Sequence, residues 1–110
     1  MNEALQQRIT NLLSMAARAR RILSGAFVVE EALKRKQGTY LLLAADASEE
    51  TKAKFTRMAA QQNVPTAELL TMQQLGHCLG KEYRAVAVLI DRGFADRLSA
   101  YLQDIPTGVD

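Results

Sequence analysis

Two short apolar runs, YLLLAA at Tyr40–Ala45 and AVAVLI at Ala85–Ile90, constrain this chain more than any other feature. Each is continuous rather than alternating, and each is bounded by turn-forming or charged residues. That pattern describes a strand covered on both faces. A chain with two such strands needs helices on both sides of a small sheet. Neither run approaches the ~20 apolar residues that cross a bilayer, so no membrane role is expected.

The surrounding segments supply those helices. Asn2 caps a first helix, with Glu3 in its first turn and Leu5, Ile9, Leu12, Leu13 and Ala16 at helical spacing; it ends near Arg18–Arg21. Ile22 and Leu23 form either a very short strand or a simple anchor. Ser24 is the expected cap of a second helix, with Val28, Val29, Ala32 and Leu33 as its buried stripe and Gly38 as its left-handed stop. Asp46-Ala47-Ser48 caps a third helix that carries Phe55, Met58, Ala59 and Gln62 along one side and ends at Asn63 and Pro65. Val64–Leu69 contains Pro65 and suits an edge strand. Thr71 and Gln74 have capping-box spacing, with Met72, Leu75 and Leu79 facing inward and Gly80 ending the fourth helix. Asp91 caps the last helix, where Phe94, Leu98, Tyr101, Leu102 and Ile105 share a face, Pro106 stops it, and Thr107–Asp110 forms a mobile tail. Helices alternating with strands predict an α/β fold, a three-layer α/β/α sandwich on a small mixed sheet of about four strands. Its 110 residues make one domain, residues 1–110, expected to be a monomer.

Charge is distributed unevenly. Between Ala16 and Lys36, Arg18, Arg20, Arg21, Lys34, Arg35 and Lys36 oppose only Glu30 and Glu31, a local +4 in a chain of net +2. Within this stretch Ser24-Gly25-Ala26 steps into the second helix, and a helix start presents unpaired N–H groups that favour phosphate. Arg18, Arg20 and Arg21 therefore read as a phosphate clamp beside Gly25. Lys34, Arg35 and Lys36 lie a helix length away and are accounted for by the helix dipole. Phe27 is either a stacking group or a packed one, and packing is the favoured reading. Lys52, Lys54 and Arg57 make a second, solvated basic row.

Other chemistries find no support. One cysteine, Cys78, excludes an internal disulfide and fits a reducing, cytoplasmic setting; the N-terminus lacks a signal-peptide pattern. The single histidine, His77, stands beside Cys78, with no second ligand pair at metal spacing, so no metal and no cofactor are expected. Asp46 and Asp91 follow buried strands, where α/β enzymes place acids, but helix capping explains both. No phosphate-binding glycine loop or nucleophile elbow is present, and the chain is not read as an enzyme. With no Trp and only three Tyr and three Phe, a broad base-stacking platform is excluded.

Four segments, NLLSMAARARRILSG (Asn11–Gly25), YLLLAADASEETKAKF (Tyr40–Phe55), NVPTAEL (Asn63–Leu69) and QLGHCLGKEYRAVAVLIDRGFADRL (Gln74–Leu98), carry a family resemblance. Together they resemble the ribosomal protein L7Ae/L30e family, and within it a small bacterial member. The resemblance implies an α/β/α sandwich that binds structured RNA, in well-known relatives a kink-turn, sometimes within the ribosome. The family reads kink-turns with a Gly-x-Asn-Glu-x-x-Lys run at the start of the second helix and a mostly apolar loop before the last buried strand.

The first feature maps here onto Gly25, Phe27, Val28 and Glu31, and only the glycine is kept. Phe27 replaces the base-bonding amide, Val28 the carboxylate, and Glu31 reverses the lysine charge. Each base-edge hydrogen bond provides about 1–3 kcal/mol of discrimination, and none of the family's three contacts can be made here. The second feature maps onto Lys81–Arg84, which is more basic, with Lys81 and Arg84 available to phosphates and Tyr83 to an unpaired base. The expected RNA-contacting set is thus Arg18, Arg20, Arg21, Gly25, Ala26, Phe27, Lys81, Tyr83 and Arg84. The alternative is a protein-interaction adaptor on the same fold, using Phe27 and Val28 as an apolar patch for a protein partner.

Overall fold

The computed structural model describes residues 1–103. Five helices, α1 (Glu3–Arg18), α2 (Ala26–Lys34), α3 (Glu49–Gln61), α4 (Met72–Cys78) and α5 (Arg92–Gln103), alternate with four strands, β1 (Ile22–Ser24), β2 (Tyr40–Ala44), β3 (Thr66–Leu69) and β4 (Val86–Leu89). The short segment at Ile22 is a true strand. The sheet order is β1-β4-β2-β3. β4 runs antiparallel to both neighbours, with Leu89 opposite Ile22 on one side and Tyr40 on the other, and β2 runs parallel to β3.

The two apolar runs occupy the centre, and their side chains divide strictly by pleat. Leu41, Leu43, Val86 and Val88 point to one face, where Val29, Ala32 and Leu33 of α2 and Phe55 and Ala59 of α3 cover them. Tyr40, Leu42, Ala44, Ala87 and Leu89 point to the other, under Leu5, Ile9, Leu12 and Leu13 of α1, Leu75 of α4 and Leu98 of α5. This is the three-layer sandwich expected from the runs. No helix among the described residues is long and apolar enough to cross a membrane.

Most helix boundaries follow local chemistry. Asn2, Ser48 and Thr71 accept hydrogen bonds from first-turn N–H groups, Thr71 in a full capping box with Gln74, and Asp91 accepts from Phe94 N. Four helices close with paired backbone bonds around a left-handed residue: Arg20 after α1, Lys36 after α2, Asn63 after α3 and Gly80 after α4. Asn and Gly suit that conformation, whereas Arg20 and Lys36, each at φ 59°, hold it at a steric cost.

Several expectations are corrected. Ser24 does not cap α2; it is the last residue of β1, and Gly25 stands at the cap position without a side-chain bond. Gly38 does not end α2. It lies where a Cβ would come within 3.0 Å of Leu33 and Val88, so it serves close packing. Val28 is exposed rather than part of the buried stripe, and Phe27 is exposed rather than packed. At 100° per residue Phe27 sits about 200° around the helix from buried Val29, and so faces away from the sheet. Asp46 accepts from Met72 N at 2.7 Å, serving α4 rather than α3. Lys52 and Lys54 are ion-paired, Lys52 to Glu49 and Glu68 and Lys54 to Glu30, rather than a free basic row. Ile105, Pro106 and the tail lie outside the described residues.

Leu42 is 1% exposed at the centre of the larger core cluster. Leu42→Ala should lower unfolding stability by about 2–5 kcal/mol, measurable by urea denaturation.

Candidate functional site

α2 starts in the open. Gly25 adopts φ 98° and ψ 145°, backbone that side-chain-bearing residues avoid. Its N–H donates to Val86 O at 3.1 Å and its carbonyl accepts from Val29 N at 2.9 Å. The N–H groups of Ala26, Phe27 and Val28 have no acceptor among the described residues. The other four helices all start under a side-chain oxygen. The start of α2 is thus a small field of outward-pointing donors at the positive end of a helix.

The segment before β4 closes against this point. Because β4 is antiparallel to β1, its beginning lies beside the end of β1. Arg84 Nε donates to Ser24 Oγ at 2.9 Å, and Arg84 Nη1 donates to the Tyr83 carbonyl at 2.8 Å. A Cβ placed on Gly25 would be 4.0 Å from Arg84 Nε. The guanidinium is therefore fixed next to the α2 donors. Phe27 and Tyr83 stand clear of the protein, 77% and 61% exposed. Lys81 shares the loop, beside a shallow polar hollow lined by Gln73, His77, Lys81, Glu82 and Tyr83.

The loop is shaped from beneath. Lys81 N donates to Gly76 O at 2.8 Å, and Arg84 N to Met72 O at 3.0 Å. Gly76 is buried inside α4, and a Cβ there would come within 2.8 Å of the backbone of Glu82 and Tyr83. The glycine lets the loop lie directly on the helix. Ser14 Oγ donates to Cys78 O at 2.9 Å and ties α4 to α1.

The structure brings Gly25, Ala26, Phe27 and Arg84 together, with Lys81 and Tyr83 on the adjoining loop. It does not bring Arg18, Arg20 and Arg21 to Gly25. Those arginines precede β1, and Gly25 follows it. Arg21 O accepts from Ile90 N just past the end of β4, whereas Gly25 N reaches Val86 O at its start. Four residues of extended chain separate them by about 13 Å. Adjacency in sequence suggested a clamp, but a strand places its members at opposite ends of the sheet.

Ser24 and Gly76 are site-forming residues that sequence reasoning missed. Ser24 looked like a helix cap, and its true partner is 60 positions away. For Gly76 a signal existed, since glycine inside a helix costs about 1 kcal/mol and calls for a packing reason.

His77 and Cys78 form no reactive pair. Cys78 Sγ donates to Leu75 O at 3.2 Å, and burial pushes its thiol up to about 11. Among the described residues no three His, Cys, Asp or Glu side chains group where they could hold a metal ion.

Known proteins resemble this chain over most of its length. The model of the ribosomal protein L7Ae/L30e/S12e/Gadd45 family matches residues 7–98. The RNA-binding protein YlxQ of Bacillus subtilis (strain 168) is 35% identical over 91 residues, 83% of this chain and 91% of that protein. The RNA-binding protein YlxQ of Enterococcus faecium is 29% identical over 103 residues, 94% of this chain and 99% of that one. Among solved structures, a Bacillus halodurans protein of unknown function superposes with a TM-score of 0.82 at 34% identity, covering 86% of this chain and 96% of its own. A Giardia lamblia 15.5kD RNA-binding protein shares the fold with a TM-score of 0.75 at 21% identity, covering 92% of each chain.

Two outcomes test the site's construction. Gly76→Ala should cost about 1–3 kcal/mol and speed amide exchange in the 81–84 loop, read by denaturation and hydrogen exchange. Cys78, with its thiol at about 11, should be alkylated slowly at neutral pH and far faster once the pH passes that value, because only the thiolate reacts; mass spectrometry after timed alkylation checks it.

Proposed function

The chain belongs to the ribosomal protein L7Ae/L30e/S12e/Gadd45 family, and from that premise we propose that it is a non-catalytic RNA-binding protein holding structured RNA between the start of α2 and the 81–84 loop. The observation that carries this reading is the Arg84–Ser24 bond at 2.9 Å. It sets a permanent cation beside three unused backbone donors, an arrangement suited to a phosphate group. Phe27 and Tyr83 border that point as exposed rings, suited to stacking on bases displaced from a helix. Their small number suits a bulge or an unpaired nucleotide rather than a long single strand.

Kink-turn recognition by base edges is not part of this proposal. With Phe27, Val28 and Glu31 at the positions that read bases in the family, contact is by stacking and phosphate pairing, which tolerates sequence. The RNA is then chosen by shape, as a bulged or internally looped helix of the kind common in ribosomal RNA. The two YlxQ proteins, described as RNA-binding, support the RNA-binding part of this reading.

A second reading rests on a separate observation: Phe27 and Val28 are both exposed and line one groove with Leu23 and Ala32. On that reading the chain is a protein adaptor. Recovery of a defined protein partner after nuclease treatment, abolished by Phe27→Ala, would favour it.

The RNA reading is tested with a synthetic hairpin carrying an internal bulge, titrated by fluorescence anisotropy. Affinity should fall steeply with salt, log K dropping by about 0.7–0.9 per phosphate contact for each decade of salt concentration. Arg84→Ala should weaken binding by roughly ten- to a hundredfold, the scale of a lost charge-assisted bond, with Arg84→Lys recovering part of it. No binding at low salt, or indifference to Arg84→Ala, would overturn the proposal.

A further inference from the structure

We propose a second RNA-contacting surface at the opposite end of β1, built from Arg20, Arg21, Arg35 and Lys36, which holds the backbone of a helical stem running along the open edge of the sheet. It rests on the RNA-binding reading above and adds a surface remote from Gly25 and Arg84.

The topology assembles this cluster from segments that are apart in sequence. Arg21 O accepts from Ile90 N, and Thr39 N donates to Leu89 O, so the segments entering β1 and β2 both bond to the same end of β4. The C-terminal ends of α1 and α2, on opposite faces, thereby lie at the same end of the sheet. Arg18, Arg20, Arg21, Arg35 and Lys36 are all exposed there, and none is ion-paired among the described residues. Of the nearby carboxylates, Asp91 and Glu30 are already engaged, and Glu31, in the groove with Arg35, is not. Asp91 Oδ2 accepts from Phe94 N, and Glu30 pairs with Lys54 and Lys34, which hold its carboxyl below the ordinary range.

The backbone adds an independent observation. Arg20 and Lys36 occupy the left-handed closing positions of α1 and α2, where α3 and α4 use Asn63 and Gly80. Helix-dipole complementarity accounts for cations in a last turn, but not for their occupying the one position where a long side chain is disfavoured. Leu70 shares this conformation without a charge, so what distinguishes Arg20 and Lys36 is that the strained positions set two cations at the same end of the sheet.

The two surfaces are connected. β1 is the terminal strand of the sheet and pairs only with β4, leaving its outer edge uncovered by any strand. Beside it runs a groove lined by Leu23, Phe27, Val28, Glu31, Arg35 and Gln37, leading from the exposed ring of Phe27 to the guanidinium of Arg35. The ~13 Å from Arg21 to Gly25 corresponds to about four to five base pairs of RNA helix rise. An RNA seated at Gly25 and Arg84 therefore reaches the second surface only if its stem is longer than that. Glu31 is the carboxylate in the groove and opposes a passing phosphate backbone.

The test compares two bulged hairpins whose stem on one side of the bulge is either about three or about ten base pairs, a choice set by that spacing. The wild-type protein should bind the long-stem RNA about tenfold more tightly, with a steeper salt slope. The variant Arg20→Gln, Arg21→Gln, Arg35→Gln, which removes charge at exposed positions, should erase that advantage and leave the short-stem affinity within about twofold. Glu31→Gln should tighten the long-stem complex severalfold, a gain that misfolding cannot mimic. The inference is overturned if the triple variant weakens both RNAs alike or neither, or if Glu31→Gln leaves the long-stem affinity unchanged. If the triple variant acts as expected while Arg84→Ala has no effect, the second surface stands and the site at Gly25 falls. If neither RNA binds at low salt, both fall.

Discussion

The antiparallel placement of β4 between β1 and β2 is the constraint on which the rest of the molecule depends. It is stabilised by burial on both faces, since Val86, Ala87, Val88 and Leu89 are all 0–1% exposed. Once β4 is inserted there, its starting end must lie beside the end of β1. The donors of α2 and the guanidinium of Arg84 meet because of that strand order, although neither segment encodes the other. The same insertion places the exits of α1 and α2 at one end of the sheet, the far end of β4, on its two faces. Both charged regions are thus consequences of one buried strand.

The fold was legible where its causes are local or periodic. The apolar runs identified β2 and β4, Thr71 with Gln74 marked the start of α4, and helical spacing in α1 named the residues that now fill the larger core cluster. Legibility failed where a residue answers to a distant partner. Ser24 has the chemistry of a helix cap, yet its hydroxyl is taken by Arg84. Gly38 has the chemistry of a helix stop, yet its lack of a side chain serves Leu33 and Val88. Asp46 capped a helix as its type suggests, but α4 rather than α3. In each case residue type was informative about what the side chain could do and silent about where its partner would come from.

Charge shows the same limit in a different form. The stretch from Ala16 to Lys36 reads as one basic region because charge is summed along the chain. In space β1 divides it, and α2 carries its last three cations back towards its first three. Phe27 adds a further lesson: an aromatic residue next to valines looks like core, but helix geometry turns it outward while Val29 takes the buried place. Phe27, Val28 and Glu31, the positions that the family resemblance singled out, all line the groove beside the open edge.

The bed that Gly76 makes for residues 81–84 has a thermodynamic consequence. The loop's backbone is anchored by Lys81 N to Gly76 O and by Arg84 N to Met72 O, and Arg84 is secured by Ser24. Its main-chain ordering was therefore completed when the protein folded. A ligand held there, as proposed, would immobilise mainly the side chains of Lys81 and Tyr83 and would not bear the larger entropic cost of freezing a flexible segment.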